Sequence, residues 1–444
     1  MKQYLIYHCL LLACCCCITA AQGQSVDALS PFSMGELQAH LPDAQTAILC
    51  YVWGDSSLYI AGLSRQHSSQ LRLPLSDSLH QRISQLCQWV AQPPAEAAAG
   101  AAVHDFATLA YGLYQEVVAP ALEPVQTGIS RLLIIPDGPL RYLPFGCLLT
   151  RPLSPNQQAD FATLPYLLRQ FELYHAAGPH FWEDQKPAER RAFSMFGAFT
   201  PHYPPQQASS LPHLPPGLQL LPLSAARQQE TEVLADLLQG YVFREETASE
   251  AGFRRYARRF RLLHLNAYSL ADDSLPDVGG IFFPLSDTST HTEWDGPLPL
   301  QEIESLRLRA ELLMLTNHQC RRGPQPTGAG MARFVQALHT ARCTSLGLNL
   351  WQTDEQATTL LMQAFYTQLK QGSTKTHALR LAQLELIDQK KYASPYFWAA
   401  WVLYGNHQAI DFGNVWGYLS LWGGGILLLL LTSLLLRMWK RSRQ

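Results

Sequence analysis

The chain has 444 residues, 47% of them hydrophobic, with a formal net charge of −2 at pH 7. Such a length exceeds one compact core and suits a two-lobed α/β body, while the near-neutral balance gives no electrostatic case for nucleic acid. Of the ten cysteines, Cys9 and Cys14 to Cys17 crowd the amino terminus, and no spacing among Cys50, Cys87, Cys147, Cys320 and Cys343 suggests a disulfide framework.

Lys2, an apolar stretch over residues 4–18 and the small residues Ala20, Ala21 and Gly23 predict a signal peptide over residues 1–23. The stretch is shorter than the roughly 20 apolar residues that a membrane span needs. Leu11, Leu12, Ala13 and Cys14 also resemble a bacterial lipobox, which makes Cys14 a candidate for acylation. Two strand-like runs, residues 47–53 and 58–63, flank Gly54, Asp55, Ser56 and Ser57 as in a hairpin. Helical periodicity follows over 79–90 and 106–122, interrupted by a Pro- and Ala-rich linker at 93–102. A further apolar run leads into Pro136, Asp137 and Gly138, and the Pro-dense segment 201–222 predicts an exposed loop. Residues 272–294, with Asp273, Pro276, Gly279 and Gly280, predict another.

The strongest local signal lies between residues 310 and 351. Leu312, Leu313, Met314 and Leu315 form an apolar run of the kind that makes a buried parallel strand. Thr316, Asn317, His318, Gln319 and Cys320 open a predicted loop carrying Gly323, Pro324, Pro326, Gly328 and Gly330. A helical pattern starts near Met331, and a second apolar run covers residues 345–351. This order makes a βαβ unit, whose active residues belong at the carboxyl end of the first strand.

That unit resembles the CHAT domain, a caspase-like peptidase module related to separase. The family's loop reads roughly Leu-Ser-Ala-Cys-Glu-Thr, with Cys as nucleophile; the aligned residues are Leu315, Thr316, Asn317, His318, Gln319 and Cys320. His318 therefore stands at the nucleophile position. The family's general-base strand ends roughly His-Leu-Ala-Thr-His-Gly, and His264, Leu265, Asn266, Ala267, Tyr268 and Ser269 stand there, with Tyr268 replacing the catalytic His. The resemblance runs from about Phe32 to Gly405, through the turn at Pro136, Asp137 and Gly138 and the segment from Pro395 to Trp401. It implies a caspase-like fold with a mainly parallel sheet flanked by helices. A non-catalytic amino-terminal lobe over 24–175 would join a caspase-like lobe over 176–410.

Residues 415–436 are almost wholly apolar and are followed by Arg437, Lys440, Arg441 and Arg443. This predicts one transmembrane helix, a cytoplasmic basic tail over 437–444, and a globular part outside the cytoplasm, most simply periplasmic.

A cysteine peptidase needs a thiolate and an imidazole within hydrogen-bond reach. His318 supplies no sulfur, and a tyrosine with an ordinary pKa near 10 is a poor base at neutral pH. Cys320 is the alternative nucleophile, two residues further on, about 6–7 Å of extended chain. His264 shares a strand face with Tyr268 but lies roughly 13 Å down the strand. His318 and Cys320 with His339 and Cys343 supply zinc-type ligands, yet the resemblance places the second pair at the family's packed helix-to-strand junction, so neither metal nor cofactor is expected. Asp354 or Glu355 could receive a Lys or Arg side chain of a ligand; the competing role is helix capping by Thr353 or Asp354. The run Arg254, Arg255, Arg258, Arg259 and Arg261 reads as a solvated face or a match for acidic neighbours.

The sequence thus predicts a membrane-anchored, extracytoplasmic pseudopeptidase. It would bind a protein or peptide in a degenerate groove lined by Tyr268, His318, Cys320, Asp354 and Glu355. An active cysteine endopeptidase using Cys320 or another non-standard site, and a structural subunit of a membrane complex, are the other classes.

Overall fold

The computed structural model describes residue 38 and residues 41–94, 99–153, 160–178, 194–204, 222–284, 296–323 and 326–412. The expected leader with Cys14, the expected span at 415–436 and its basic tail lie outside the described residues, as do most of the predicted 201–222 loop and part of the 272–294 loop. No helix among the described residues is long and apolar enough to cross a membrane.

The first half opens with the predicted hairpin, β1 (Thr46–Trp53) and β2 (Ser57–Leu63), paired antiparallel from Trp53 opposite Leu58. A third strand, β3 (Ser68–Pro74), extends the meander, its residues alternately exposed and half-buried as befits an edge. Helix α1 (Asp77–Val90) starts where Ser76 Oγ accepts the Leu79 N–H, and buries Leu79, Ile83, Leu86, Cys87 and Val90 along one stripe. Helix α2 (Ala99–Val117) and a short turn (Ala119–Leu122) lead to β4 (Arg131–Ile135), all of whose residues are buried. The half closes with β5 (Glu172–His175).

The second half follows in order: β6 (Ser194–Thr200), α3 (Ala225–Leu238), β7 (Tyr241–Arg244), α4 (Glu250–Tyr256) and β8 (Phe260–Asp272). Then come β9 (Gly280–Phe282), β10 (Pro297–Pro299), α5 (Leu300–Ser305), β11 (Leu312–Arg321), α6 (Ala329–Thr340) and β12 (Ser345–Asn349). Helices α7 (Glu355–Lys370) and α8 (Lys375–Asp388) precede the last strand, β13 (Trp401–Gly405).

These thirteen strands, counted among the described residues, form one sheet in the order β10-β9-β8-β11-β12-β13-β5-β4-β1-β2-β3, with β6 pairing β8 and carrying β7. Among the described residues, strands of the two halves meet only where β13 pairs β5, through Tyr404 and His175. β6, β8, β11 and β12 run parallel, as do β1, β4 and β5. The sheet is nevertheless mixed rather than mainly parallel. β2, β3, β9 and β10 add antiparallel margins, and β13 runs antiparallel to β12. Short returns suffice for such strands, whereas parallel ones need a crossover. α3, α7 and α8 pack together on one side of the sheet, while α5 and α6 pack together on the other. Every residue of the thirteen-residue β8 is buried.

Candidate functional site

The carboxyl ends of β8 and β11 stand side by side. Their register runs Leu312 opposite Leu262 to Leu315 opposite Leu265, then resumes with Asn317 opposite Tyr268 and continues to Arg321 opposite Asp272. β8 takes three steps across this irregularity where β11 takes two. Thr316 Oγ1 donates to the Leu265 carbonyl at 3.2 Å and also meets Asn266 Oδ1, while Asn266 Nδ2 donates to the Arg227 carbonyl of α3 at 3.1 Å. The predicted loop at Thr316 to Cys320 is therefore strand, and Cys320 is a ladder residue rather than a loop thiol. From Asn317 to Cys320 each residue has a register partner in the extended β8.

The register shift decides which side chains meet. Tyr268 is buried with Tyr203, Leu270 and Phe282, and Leu223 packs against them. Its ring centroid is 5.2 Å from that of Tyr203, whose hydroxyl donates to the Phe282 carbonyl (2.7 Å) and accepts the Tyr268 N–H (3.1 Å). His318 belongs to the other face. Its Nδ1 shares a hydrogen bond with Ser269 Oγ at 2.9 Å, and its ring lies 4.7 Å from that of Phe334 in α6. Burial pushes its pKa down to about 3, so the ring is neutral. Asn349 clamps the backbone there: its Oδ1 accepts the His318 N–H at 3.2 Å, and its Nδ2 donates to the carbonyls of His318 (3.1 Å) and Trp351 (2.6 Å).

Cys320, two residues beyond His318, shares its face. The residue is half-buried, but burial of the thiol pushes its pKa up to about 12; Arg322 opposes that shift and Asp273 adds to it. Asp273 closes the same end. Its carboxylate accepts the N–H groups of Thr327 (2.8 Å), Gly328 (2.8 Å) and Gly330 (2.9 Å) ahead of and within the first turn of α6, and the Tyr142 hydroxyl (2.6 Å). Gly330 is required by the close approach, because a Cβ there would stand 2.4 Å from the Asp272 carbonyl oxygen. Gly328 takes φ +72°, the left-handed region that favours glycine. Tyr142 comes from the turn after β4, and Arg322 lies over its ring at 5.4 Å. The first half thus seals the end of the second half's central strands.

Asp354 and Glu355 belong to the Tyr268 side. Asp354 Oδ1 accepts the Ala357 N–H at 2.9 Å and so caps α7, the role that competed with ligand binding in the sequence. Glu355 Oε2 accepts Ser224 Oγ at 2.5 Å, next to the Leu223 that packs on the tyrosine cluster. Gln352 Nε2 donates to Asn317 Oδ1 at 3.1 Å, linking the loop before α7 to β11. The five candidates are therefore split by the sheet: Tyr268, Asp354 and Glu355 on one side, His318 and Cys320 on the other. His264 does share the Tyr268 side. It is buried, with Nδ1 3.1 Å from the Tyr366 hydroxyl and Nε2 3.4 Å from Glu230 Oε1. No three His, Cys, Asp or Glu side chains among the described residues stand together as metal ligands; Cys343 donates instead to the Ser345 carbonyl at 3.0 Å. Sequence reasoning missed Ser269, Asn349, Asp273 and Tyr142. Only the position of Ser269 beside Tyr268 hinted at a role, and a one-residue shift of register was needed to reveal it.

The CHAT domain family matches residues 107–406, about two thirds of the chain. Among solved structures, the separase–securin complex of Saccharomyces cerevisiae is similar with a TM-score of 0.47 and 7% identity, over 84% of this chain and 30% of that one. The Arg-specific cysteine proteinase gingipain R gives 0.37 and 9% identity, over 76% of each chain. The complex of the pro- and mature domains of RgpB from Porphyromonas gingivalis gives 0.36 and 9%, over 75% of this chain and 77% of that one. The chain spans about 30% of the length of the separase chain it matches. No curated protein matches it in sequence.

Proposed function

Because the chain belongs to the CHAT domain family, we propose that it is a pseudopeptidase of that family, a caspase-like domain that binds a protein or peptide without cleaving it. The observation that carries this reading is the separation of the two dyad positions. Tyr268 and His318, aligned with the family's base and nucleophile, are buried on opposite faces of the sheet. Nucleophile and base must stand within hydrogen-bond reach of one another, and the residue within reach of His318 is Ser269. Ser269 and His318 are themselves 1% and 0% exposed, which denies a substrate access to that pair. Cys320 is no substitute, since a thiol with a pKa of about 12 is protonated at neutral pH.

Binding falls to the rim on the Tyr268 side. There the half-buried Asn317 and Gln319 and the exposed Gln352 present amides beside Asp354, whose second carboxylate oxygen is not used by the cap. Amide donors and acceptors suit the main chain of a peptide, and the carboxylate suits a basic side chain. The apolar residues 415–436 and the basic residues after them support anchorage in a membrane with the domain outside the cytoplasm.

The test is selection of peptides from a displayed library by the purified full chain, with Asn317→Ala and Gln352→Ala in parallel. The expected result is peptides whose capture falls about tenfold in either variant while the unfolding midpoint is unchanged, since one lost hydrogen bond to a ligand is worth roughly 1–1.5 kcal/mol. No selected peptide, or peptides indifferent to both substitutions, would contradict the reading.

A further inference from the structure

The opposite end of the sheet carries a surplus of positive charge. Arg259 immediately precedes β8, Arg309 comes shortly before β11 and Arg342 shortly before β12. These three strands are adjacent and parallel, so their starts lie together. Backbone hydrogen bonds join the approaches: Glu311 N–H to the Arg261 carbonyl (2.7 Å), Leu308 N–H to Ala341 (2.9 Å) and Thr344 N–H to Ala310 (2.9 Å). Arg255 in the last turn of α4, Arg258 in the turn into β8, and Arg307 belong to the same end. Arg309 is half-buried and the other five are exposed.

The nearby acids are already committed. Glu302 pairs with Arg254, Glu304 with Arg333 and Glu311 with Arg261. The expectation of an acidic match thus holds for Arg254 and Arg261 alone within the basic run. Among the described residues no ion pair engages the six arginines named above; Arg255 and Arg259 lie over the Tyr256 ring at 5.3 and 5.1 Å. Asp236, exposed near the end of α3 before β7, offsets one of them.

The chain also leaves the sheet at this end. β13 runs antiparallel to β12, with its last residue, Gly405, opposite Ser345 at the start of β12. From Gly405 to Val415, where the expected span begins, extended chain reaches at most about 35 Å. If residues 415–436 span a bilayer, chain length alone keeps this end within that reach of it.

We propose that this end docks on anionic phospholipid headgroups of the membrane; the choice of lipid over another anion rests on the anchorage proposed above. Guanidinium groups bind phosphate in bidentate fashion, and each one near an anionic surface strengthens partitioning roughly fivefold. Docking this way turns the carboxyl ends of β8 and β11, with the Asn317 and Gln352 rim, away from the bilayer.

The test reconstitutes the full chain into nanodiscs of phosphatidylcholine alone or with added phosphatidylglycerol, and follows amide hydrogen exchange at residues 255–259, 306–310 and 341–343. Exchange is expected to slow in the anionic discs only, to recover in high salt, and to be indifferent to lipid charge in an Arg255→Glu, Arg258→Glu, Arg307→Glu variant that keeps the wild-type unfolding midpoint. Equal exchange in both discs would overturn the docking. So would protection that needs an acidic protein and ignores lipid charge. Failure to enter either disc would contradict the anchorage alone. Docking is then read by flotation of the unanchored chain: about 100-fold better recovery with anionic than with zwitterionic vesicles, lost in the variant, supports it, and equal recovery overturns it.

Discussion

His318 is held by Ser269 on one edge and faced by Phe334, with its pKa pushed down to about 3 by burial. A histidine whose folded pKa lies below its unfolded value near 6.5 leaves the extra proton to the unfolded chain. Its contribution to stability is therefore complete above about pH 6.5 and is lost as pH falls toward 3. His175 and His407, each pushed down to about 4 chiefly by burial, act with the same sign. Glu172 and Glu230 are lowered, so their contributions persist until pH falls below the ordinary glutamate range. Between pH 7.5 and 5 the histidines dominate. Denaturant titrations at those two pH values should find the chain less stable at pH 5, with His318 accounting for about 2 kcal/mol. His318→Gln should reduce the pH dependence by that amount, and an unchanged dependence would show that the ring is not buried neutral. This residue also marks the limit of reading a single sequence. Its alignment with the family's nucleophile is an expectation drawn from Leu315 to Cys320, whereas its partner Ser269 was not legible at all, because alternation along one strand does not reveal a register shift against another.

Among the elements, β11 was legible in its first half and not in its second. The apolar run from Leu312 to Leu315 reads as strand, but Thr316 to Cys320 is polar and reads as loop. It is strand because β8 continues to Asp272 and supplies partners as far as Arg321, a long-range cause that local composition does not carry. β3 was missed for a related reason: Ser68, Ser69, Gln70 and Arg72 suit an edge that leaves much of the strand in water. The start of α6 was placed within two residues of Met331, yet its cap comes from Asp273, more than fifty residues away in sequence. That carboxylate accepts three backbone N–H groups and the Tyr142 hydroxyl. Asp273→Ala should cost about 2–3 kcal/mol and Tyr142→Phe about 1 kcal/mol. The double variant should fall short of the sum, because both remove the same hydrogen bond. Strict additivity in equilibrium unfolding would mean that the two side chains act independently.

At the scale of the molecule, the α/β class and the family were legible from motifs spread over nearly the whole chain, since each strand and turn of the resemblance is locally encoded. The proportion of antiparallel pairing was not, because β9, β10 and β13 are short and their direction is set by neighbours. The arginine-bearing end was equally hidden: Arg255, Arg307 and Arg342 are far apart in sequence and come together through the parallel register of β8, β11 and β12. The same register separates Tyr268 from His318 at the carboxyl end of the sheet, and the proposed pseudopeptidase reading rests on that separation. Hydrolysis of a fluorogenic peptide library rich in Lys and Arg by the purified full chain tests this most directly, alongside Cys320→Ala and Ser269→Ala. No turnover above the buffer blank by folded protein is the predicted result. Turnover that disappears in either variant would contradict the account and assign the nucleophile to that residue.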